Sequence, residues 1–590
     1  MLSWFTQSRL LFVAGLGLFF FFGSTAINKP AMTDESEMAA AALAISKTGL
    51  PVYYMGDTPL RHVPAKDMWQ IEEAPKPGYQ YGLWHPPLYI YCMGLSFNLF
   101  GPHNWAARLP NFILLLLTLW LLRGIVREVL PPERRNAGFG LVAFLFLINP
   151  VILQQGLMLD IDNSVLTPLL LLYLREFLRL SRQGVKWMSK YAWLSVVMAA
   201  SFWAKEFGCF YLVAALVVYV GLRREWKDLA GVLASMVVGA ALFWGTWWLY
   251  CKLTGMPVMY FIRFSTFGKL AIGEGLLRTI AAESGWANAW LSVLFGLLNF
   301  MLWLSPYYWF LLILVVGWRA RAFFESKQAQ PLDLLLLYVF AVIGATQIYR
   351  PSGWYLKYTY PGIAVGLVLA AAYAQEKLAE WSWRELAFAG IAALAVAMVQ
   401  VWNGDPVYRL FNGGLRWSNE WIFYGVIAAA LAIAVKLARP KLPALSAAGL
   451  ALVIGMAGAN LGLSWKQRAP YATSISWNNY GEAGFVEAAD YLKSVLKPED
   501  VPICRKDFGL HLFKDLDSQY RRWINPCVIM DVGAGEELVR NITAPGVSHI
   551  VLERYSRRGP VIRVLQQYYV LEKHFGDPER PSFYILRRVR

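Results

Sequence analysis

The chain is written in long apolar blocks separated by short polar hinges. Blocks close to the ~20 residues needed to cross a bilayer fall at 9–27, 109–127, 137–155, 163–180, 191–204, 206–222, 229–252, 290–318, 333–349, 360–377, 386–402, 420–436 and 444–464. The pattern predicts about thirteen membrane-spanning helices. The stretch 86–100, "PPLYIYCMGLSFNLF", is apolar but short and opens on Pro-Pro, and it reads as a helix lying in the outer interface. Residues 191–222 divide at Lys205-Glu206, which puts that pair at a turn. Beyond 465 the period changes. "GFVEAADYLKSVL" has helical spacing, while "CVIMDVG", "HIVLERY" and "SFYILRRV" read as short strands. A small α/β domain over 466–590 is expected. Its "DVGAGEEL" is not GxGxxG and reads as an ordinary loop. The fold class is therefore a polytopic α-helical membrane protein with a small C-terminal α/β domain.

Composition agrees. Of 590 residues, 57% are hydrophobic and only 16% charged, against roughly 45–50% and about 25% in soluble domains. Mean hydropathy is +0.41. In such a chain the net charge of +16 speaks of orientation rather than nucleic acid. The clusters "RGIVREVLPPERR", "RLSRQGVKWMSK", "LRREWK", "GWRARAFFESK", "EKLAEWSWRE" and "KLARPK" fall between alternate pairs of spans. Placing them all in the cytoplasm closes the topology, with the amino terminus inside and the tail outside. The first apolar segment reads as an uncleaved span rather than a signal peptide. Two domains result: 1–465, carrying the spans and an outer loop at 28–108, and 466–590. With the tail outside, Cys504 and Cys527 either form a disulfide or stay buried thiols. No HExxH, GxSxG or Walker loop is present, which argues against an ATP-driven pump.

With this topology, ionisable residues collect at the outer ends of different helices. They are Asp34, Glu35 and Glu37 in "MTDESEM", His85 in "LWHPPL", Arg108, Asp160 and Asp162 in "LMLDIDN", Lys205 and Glu206 in "WAKEFG", and Arg350 and Lys357 in "YRPSGWYLKYTYP". Charge at the edge of the hydrocarbon is costly and is usually retained for function. Lys and Arg can hold a phosphate in the headgroup zone. A carboxylate can take a proton from an acceptor hydroxyl, and a second can orient that hydroxyl or share a divalent metal. Tyr81, Trp84, Trp354, Tyr355 and Tyr358 offer faces for a sugar or an isoprenoid chain. The set suits transfer of a group from a lipid-linked phosphate. Each residue also has a plainer role: helix-start acids, snorkelling lysines and interfacial anchors gather at the same depth.

At these residues the chain resembles a known family. "TDESEMAAAAL", "WHPPLYIYCMGLSFNLFGPHNWAARLPN", "LMLDIDN", "FWAKE" and "GWYLKYTYPGIA" follow one another in the order seen in bacterial relatives of the protein O-mannosyltransferases. That family includes the lipid A aminoarabinose transferases and lies within the C-type glycosyltransferase superfamily. The resemblance covers roughly 30–470 and reaches the tail more loosely. It implies that Asp34 is the catalytic base, with Glu35 beside it. It implies that Asp160 or Asp162, with the register left open, builds the acceptor or metal side. Lys205, Arg350 and Lys357 would bind the lipid phosphate. The aminoarabinose transferases carry Lys before Pro-Pro, where this chain has His85. That residue is then either a phosphate contact or a metal ligand with Asp34, Asp160 or Asp162, and aminoarabinose transfer becomes a less natural activity. No cofactor is required beyond that optional divalent metal.

The expectation is an inner-membrane glycosyltransferase that uses a polyprenyl-phosphate sugar. It would act on a lipid, glycan or protein hydroxyl at the periplasmic face, in contact with the bilayer and without nucleic acid. The alternatives are a flippase of lipid-linked sugars, disfavoured because the core of most spans is bare of charge, and an O-antigen-type ligase or polymerase.

Overall fold

The computed structural model describes residues 2–25, 27, 31, 34–54, 79–206, 208–260, 262, 281–282, 285–291, 307–349, 359–378, 382–402, 417–466, 484–505, 508, 524, 535–553, 560–576 and 581–589. Two compact units emerge. One is Met1–Ile27 with Pro110–Ala469, and the other joins Asn28–Leu109 to Asn478–Arg590.

Among its described residues the first unit contains helices and no strands. Helices Leu2–Gly23, Trp226–Thr254, Pro331–Tyr349, Tyr360–Leu378, Trp383–Trp402, Trp417–Ala438 and Ala444–Lys466 lie where the apolar blocks predict. The block 191–222 does break at Lys205-Glu206, into Trp187–Ala204 and Phe210–Arg223. The block 137–155 breaks too, after Arg135–Leu147. Asn149 then caps Pro150–Leu157, its Oδ1 accepting from the Val151 N–H at 2.9 Å, with Pro150 at the first helical position. Helix Ala444–Lys466 packs through glycine. A Cβ on Gly458 would lie 2.3 Å from the Ala393 carbonyl oxygen, and one on Gly462 2.6 Å from that of Ala397. The backbones of this helix and Trp383–Trp402 thus approach as only small residues allow.

The chain is a polytopic helical membrane protein, but the count needs correction. Among the described residues three helices are long and apolar enough to cross a membrane: Asn104–Val129, Trp226–Thr254 and Ala444–Lys466. The expected number was about thirteen. Two others fall short of a clean span. Phe210–Arg223 has 14 residues, or about 21 Å at 1.5 Å per residue, against a core of about 30 Å. Thr167–Arg182 carries Arg175, Glu176 and Arg179 in its second half.

The second unit contains a four-stranded sheet in the order Val501–Ile503, Val547–Glu553, Pro581–Arg588, Tyr569–Gly576. The first pair is parallel and the others antiparallel. Helix Phe485–Val495 covers one face through Phe485, Ala488 and Leu492, packed with Val551, Phe583 and Ile585. On the other face Ile550, Leu552 and Tyr584 meet Leu538, Ile542 and Leu565. The expected strands at "HIVLERY" and "SFYILRRV" are present, and "CVIMDVG" lies outside the described residues. Cys504 is buried in the first of these cores, and Cys527 lies outside the described residues. The outer-loop part of this unit pairs helix Asp34–Thr48 with Leu88–Phe100, which is helical as expected. Gly94 lets them close, since a Cβ there would sit 2.7 Å from Ile45 Cγ2.

Candidate functional site

In the second unit the acidic segment begins a helix. Asp34 is its first residue, with its side chain outside the described atoms, and Glu35 turns inward, 1% exposed. Arg108 meets it: one guanidinium nitrogen, Nη2, reaches both carboxylate oxygens at 3.0 and 3.1 Å, and both side chains are buried. Arg108 belongs to Asn104–Val129, a helix with Pro110 inside it. Proline has no N–H for the carbonyl one turn back, and the freed Ala106 oxygen accepts from Ser96 Oγ at 2.6 Å. That bond ties the Arg108 turn to Leu88–Phe100. Trp84 and His85 are both buried, at 6% and 7% exposure. The Trp84 ring lies 5.8 Å from that of Tyr53. Tyr53 sits in a two-stranded ribbon, Val52–Tyr54 with Tyr79–Tyr81, where Tyr81 pairs with Val52. The structure therefore gathers Glu35, Arg108, Trp84, His85 and Tyr81 in one unit.

In the first unit Asp160 is 3% exposed and lies in a turn between Pro150–Leu157 and a π-helical turn, Asp162–Leu166. Pro168 supplies no N–H for an unbroken α-helical ladder at this point. The Leu166 N–H reaches back five residues to the Ile161 carbonyl, at 3.1 Å, a spacing that recurs at functional sites. The turn is braced twice more. Asn111 Nδ2 donates to the Met158 carbonyl, and Ser164 Oγ donates to that of Asp160. Asp162 is a backbone position here, its side chain outside the described atoms. Lys205 and Glu206 are buried, at 9% and 6%, on the turn that ends Trp187–Ala204. Gly208 in that turn lies directly against Leu166, where a Cβ would be 2.4 Å from Leu166 Cδ2. The Lys205 turn is thus pressed onto the Asp160 turn. Helix Tyr360–Leu378 packs on the same place, Tyr360 lying beside Gly156. Arg350, Trp354, Tyr355, Lys357 and Tyr358, which precede that helix, lie outside the described residues.

Among the described residues no cluster of three or more His, Cys, Asp or Glu side chains could hold a metal. The expected set of Asp34, His85, Asp160 and Asp162 is only half described, and no step below runs through a metal. Sequence reasoning noted Arg108 and Glu206 only as outer-end charges and missed Asn111 and Ser164. The "RLPN" block held the signal, a basic residue and an amide flanking a proline in a helix.

Residues 84–248 match the family model described as dolichyl-phosphate-mannose-protein mannosyltransferase. That stretch includes Trp84, His85, Arg108, Asn111, Asp160, Lys205 and Glu206. A crystal structure of ArnT from Cupriavidus metallidurans bound to undecaprenyl phosphate is similar over 99% of this chain and 98% of that one, at 15% identity and a TM-score of 0.51. The chain has the ArnT fold. The apo form of ArnT matches at 16% identity and a TM-score of 0.49, over 99% and 98%. The Archaeoglobus fulgidus oligosaccharyltransferase in complex with Zn and sulfate matches at 12% identity and 0.49, over 97% and 72%. No curated protein matches the chain.

Proposed function

We propose that the chain is a glycosyltransferase that moves a sugar from a polyprenyl-phosphate donor to a hydroxyl at the outer face of a bacterial inner membrane. The observation that carries this is the joining of two buried charged turns, Asp160 and Lys205-Glu206, by the Gly208–Leu166 contact. Both lie inside the stretch that matches the mannosyltransferase family model. The ArnT fold supports the same reading, since ArnT itself was solved with undecaprenyl phosphate. The basic loops put the amino terminus in the cytoplasm and the tail in the periplasm.

In this mechanism Asp34 takes the proton of the acceptor hydroxyl, a role worth about 10²–10⁴ in rate. The oxygen forms a bond to the anomeric carbon as the bond from that carbon to the phosphate oxygen breaks. Polyprenyl phosphate leaves as a stable anion and needs no proton. By family resemblance the anomeric carbon inverts. Lys205, with Arg350 or Lys357, holds the departing phosphate. Asp160 or Asp162 orients the acceptor. Glu35, committed to Arg108, holds the first turn of the helix that presents Asp34 rather than serving as a second base. Trp84, Tyr81 and the aromatics at 354–358 contact sugar or lipid, and His85 lies on the phosphate side.

The test uses purified protein in lipid nanodiscs with a panel of polyprenyl-phosphate sugars and an envelope extract as acceptor. Released polyprenyl phosphate is quantified for wild type and Asp34→Asn. Release that depends on Asp34 is expected, with donor binding nearly unchanged. Release by Asp34→Asn at the wild-type rate would move the base elsewhere. Absence of release from every donor, with transbilayer movement of the same lipids, would make the chain a flippase.

A further inference from the structure

A cavity of about 400 Å³ opens at the other end of the helix that leads to Lys205. Lys190 lines it, in the first turn of Trp187–Ala204 and 15 positions before Lys205 at the end of that helix, which is roughly 22 Å at 1.5 Å per residue. The volume is within the roughly 300–1,000 Å³ of small-molecule sites. Its polar wall is three ion pairs. Lys190 Nζ lies 3.1 Å from Asp228, Arg182 Nη2 3.1 Å from Glu128, and Arg223 Nη2 2.7 Å from Glu225. Lys190 and Glu128 are deep, with side chains 4% and 8% exposed. Arg182 and Arg223 are 52% and 36% exposed and stand at the mouth. Phe177, Leu178 and Val185 supply apolar wall, and Trp187 adds an aromatic edge.

Folding alone does not account for this. Well-packed apolar residues of equal volume are often as stable as a buried ion pair, and here the charges surround open space. A bare phosphate would meet the guanidinium groups and also three carboxylates. A group carrying both signs satisfies both sets. Guanidinium at the mouth suits phosphate, and the carboxylates beside it, Glu128 deep and Glu225 at the rim, suit an ammonium. The basic loops that form the mouth lie at the membrane edge on the positive-inside reading, where headgroups occur.

We propose that this cavity seats a phosphoethanolamine group, that of a membrane phospholipid, with the phosphate on Arg182 and Arg223 and the ammonium towards Glu128 and Glu225. None of these residues takes part in the proposed sugar transfer, so either reading can fail without the other.

The test is native mass spectrometry of the full chain, delipidated and offered equal amounts of phosphatidylethanolamine and phosphatidylglycerol with matched acyl chains. The expected result is about tenfold greater retention of phosphatidylethanolamine, equivalent to about 1.4 kcal/mol. Arg182→Ala with Arg223→Ala should abolish the preference. Glu128→Gln with Glu225→Gln keeps the shape, and should shift retention towards phosphatidylglycerol even if the arginine variant fails to fold. Equal retention of both lipids, or a preference unchanged in the glutamine variant, overturns the proposal. Soluble phosphoethanolamine that displaces the lipid at millimolar concentration would keep the chemistry and assign the site to a free ligand. No displacement assigns it to the lipid.

Discussion

At the residue scale, the most constrained charges are Glu35 and Arg108, because neither has water to fall back on. Removing one partner of a buried pair leaves the other uncompensated, at a cost of about 3–5 kcal/mol. Arg108→Met and Glu35→Gln should each destabilise the protein by that order. The double variant should cost less than their sum, as measured by denaturant unfolding in detergent. Additive losses would mean that the pair is not coupled. Asn111 supports a different outcome. Its amide holds the Met158 carbonyl, two residues before Asp160. Asn111→Leu should lower the rate of donor turnover while donor binding changes little, because the turn loses a brace and not a ligand. A change confined to binding would place Asn111 at the donor instead. The sequence showed that acids sat at these points. It could not show that Asp160 is buried, since a π-helical turn follows it and Pro168 marks that turn only faintly. Nor could it pair Glu35 with Arg108, which are 73 residues apart.

At the scale of elements, most helices were legible because lipid demands uninterrupted apolar length. The errors fall where polar atoms satisfy a break locally. Asn149 is one such point, and its cap divides a block that reads as continuous. Helix Trp383–Trp402 shows a start that sequence can predict. Ser382 and Glu385 form a reciprocal cap, the Ser382 N–H donating to Glu385 Oε2 at 2.7 Å and the Glu385 N–H to Ser382 Oγ at 3.4 Å. Arg439 donates to the same carboxylate from the loop before Ala444–Lys466. The hydrogen bond from Arg439 holds the Glu385 carboxyl down at about 2, against an ordinary 4.5. A depressed carboxylate stabilises the fold fully above its unfolded value and loses that contribution as pH falls through its folded value. Between pH 4.5 and about 2 wild type should therefore lose stability that Glu385→Gln, already without it, does not lose. Equal acid profiles would remove Arg439 from the role. Deeper in the same pair of helices, Gly458→Leu should cost at least about 1–3 kcal/mol by overpacking, because its neighbour is the Ala393 backbone and not a side chain that can turn away.

On the scale of the whole molecule, the sequence divides the chain at 465, but residues 28–109 cluster with the carboxyl-terminal residues. Periodicity gives no sign of this, because the two segments are separated by the entire helical unit and each reads sensibly alone. The contact is specific. Tyr54, at the end of strand Val52–Tyr54, packs against the tail core that includes Phe485, Leu492 and Cys504. An isolated two-stranded ribbon is marginal in water at best, so this ribbon depends on what covers it. The dependence reaches the site through Tyr53, which faces the opposite side of the strand and meets Trp84. Helix Asp34–Thr48 has separate support from Leu88–Phe100 through Gly94. Amide exchange distinguishes the two. Tyr54→Ala should accelerate exchange at 52–54 and 79–81 while leaving 38–48 protected, and release of polyprenyl phosphate should fall because Trp84 loses the ring of Tyr53 packed against it. A chain ended after Lys466 should show the same local loss more completely. If the ribbon stays protected in both, it stands without the tail, and the tail has no structural part in holding Trp84 and His85. If the helix loses protection together with the ribbon, the tail supports the whole of the acidic segment, and the proposed base with it.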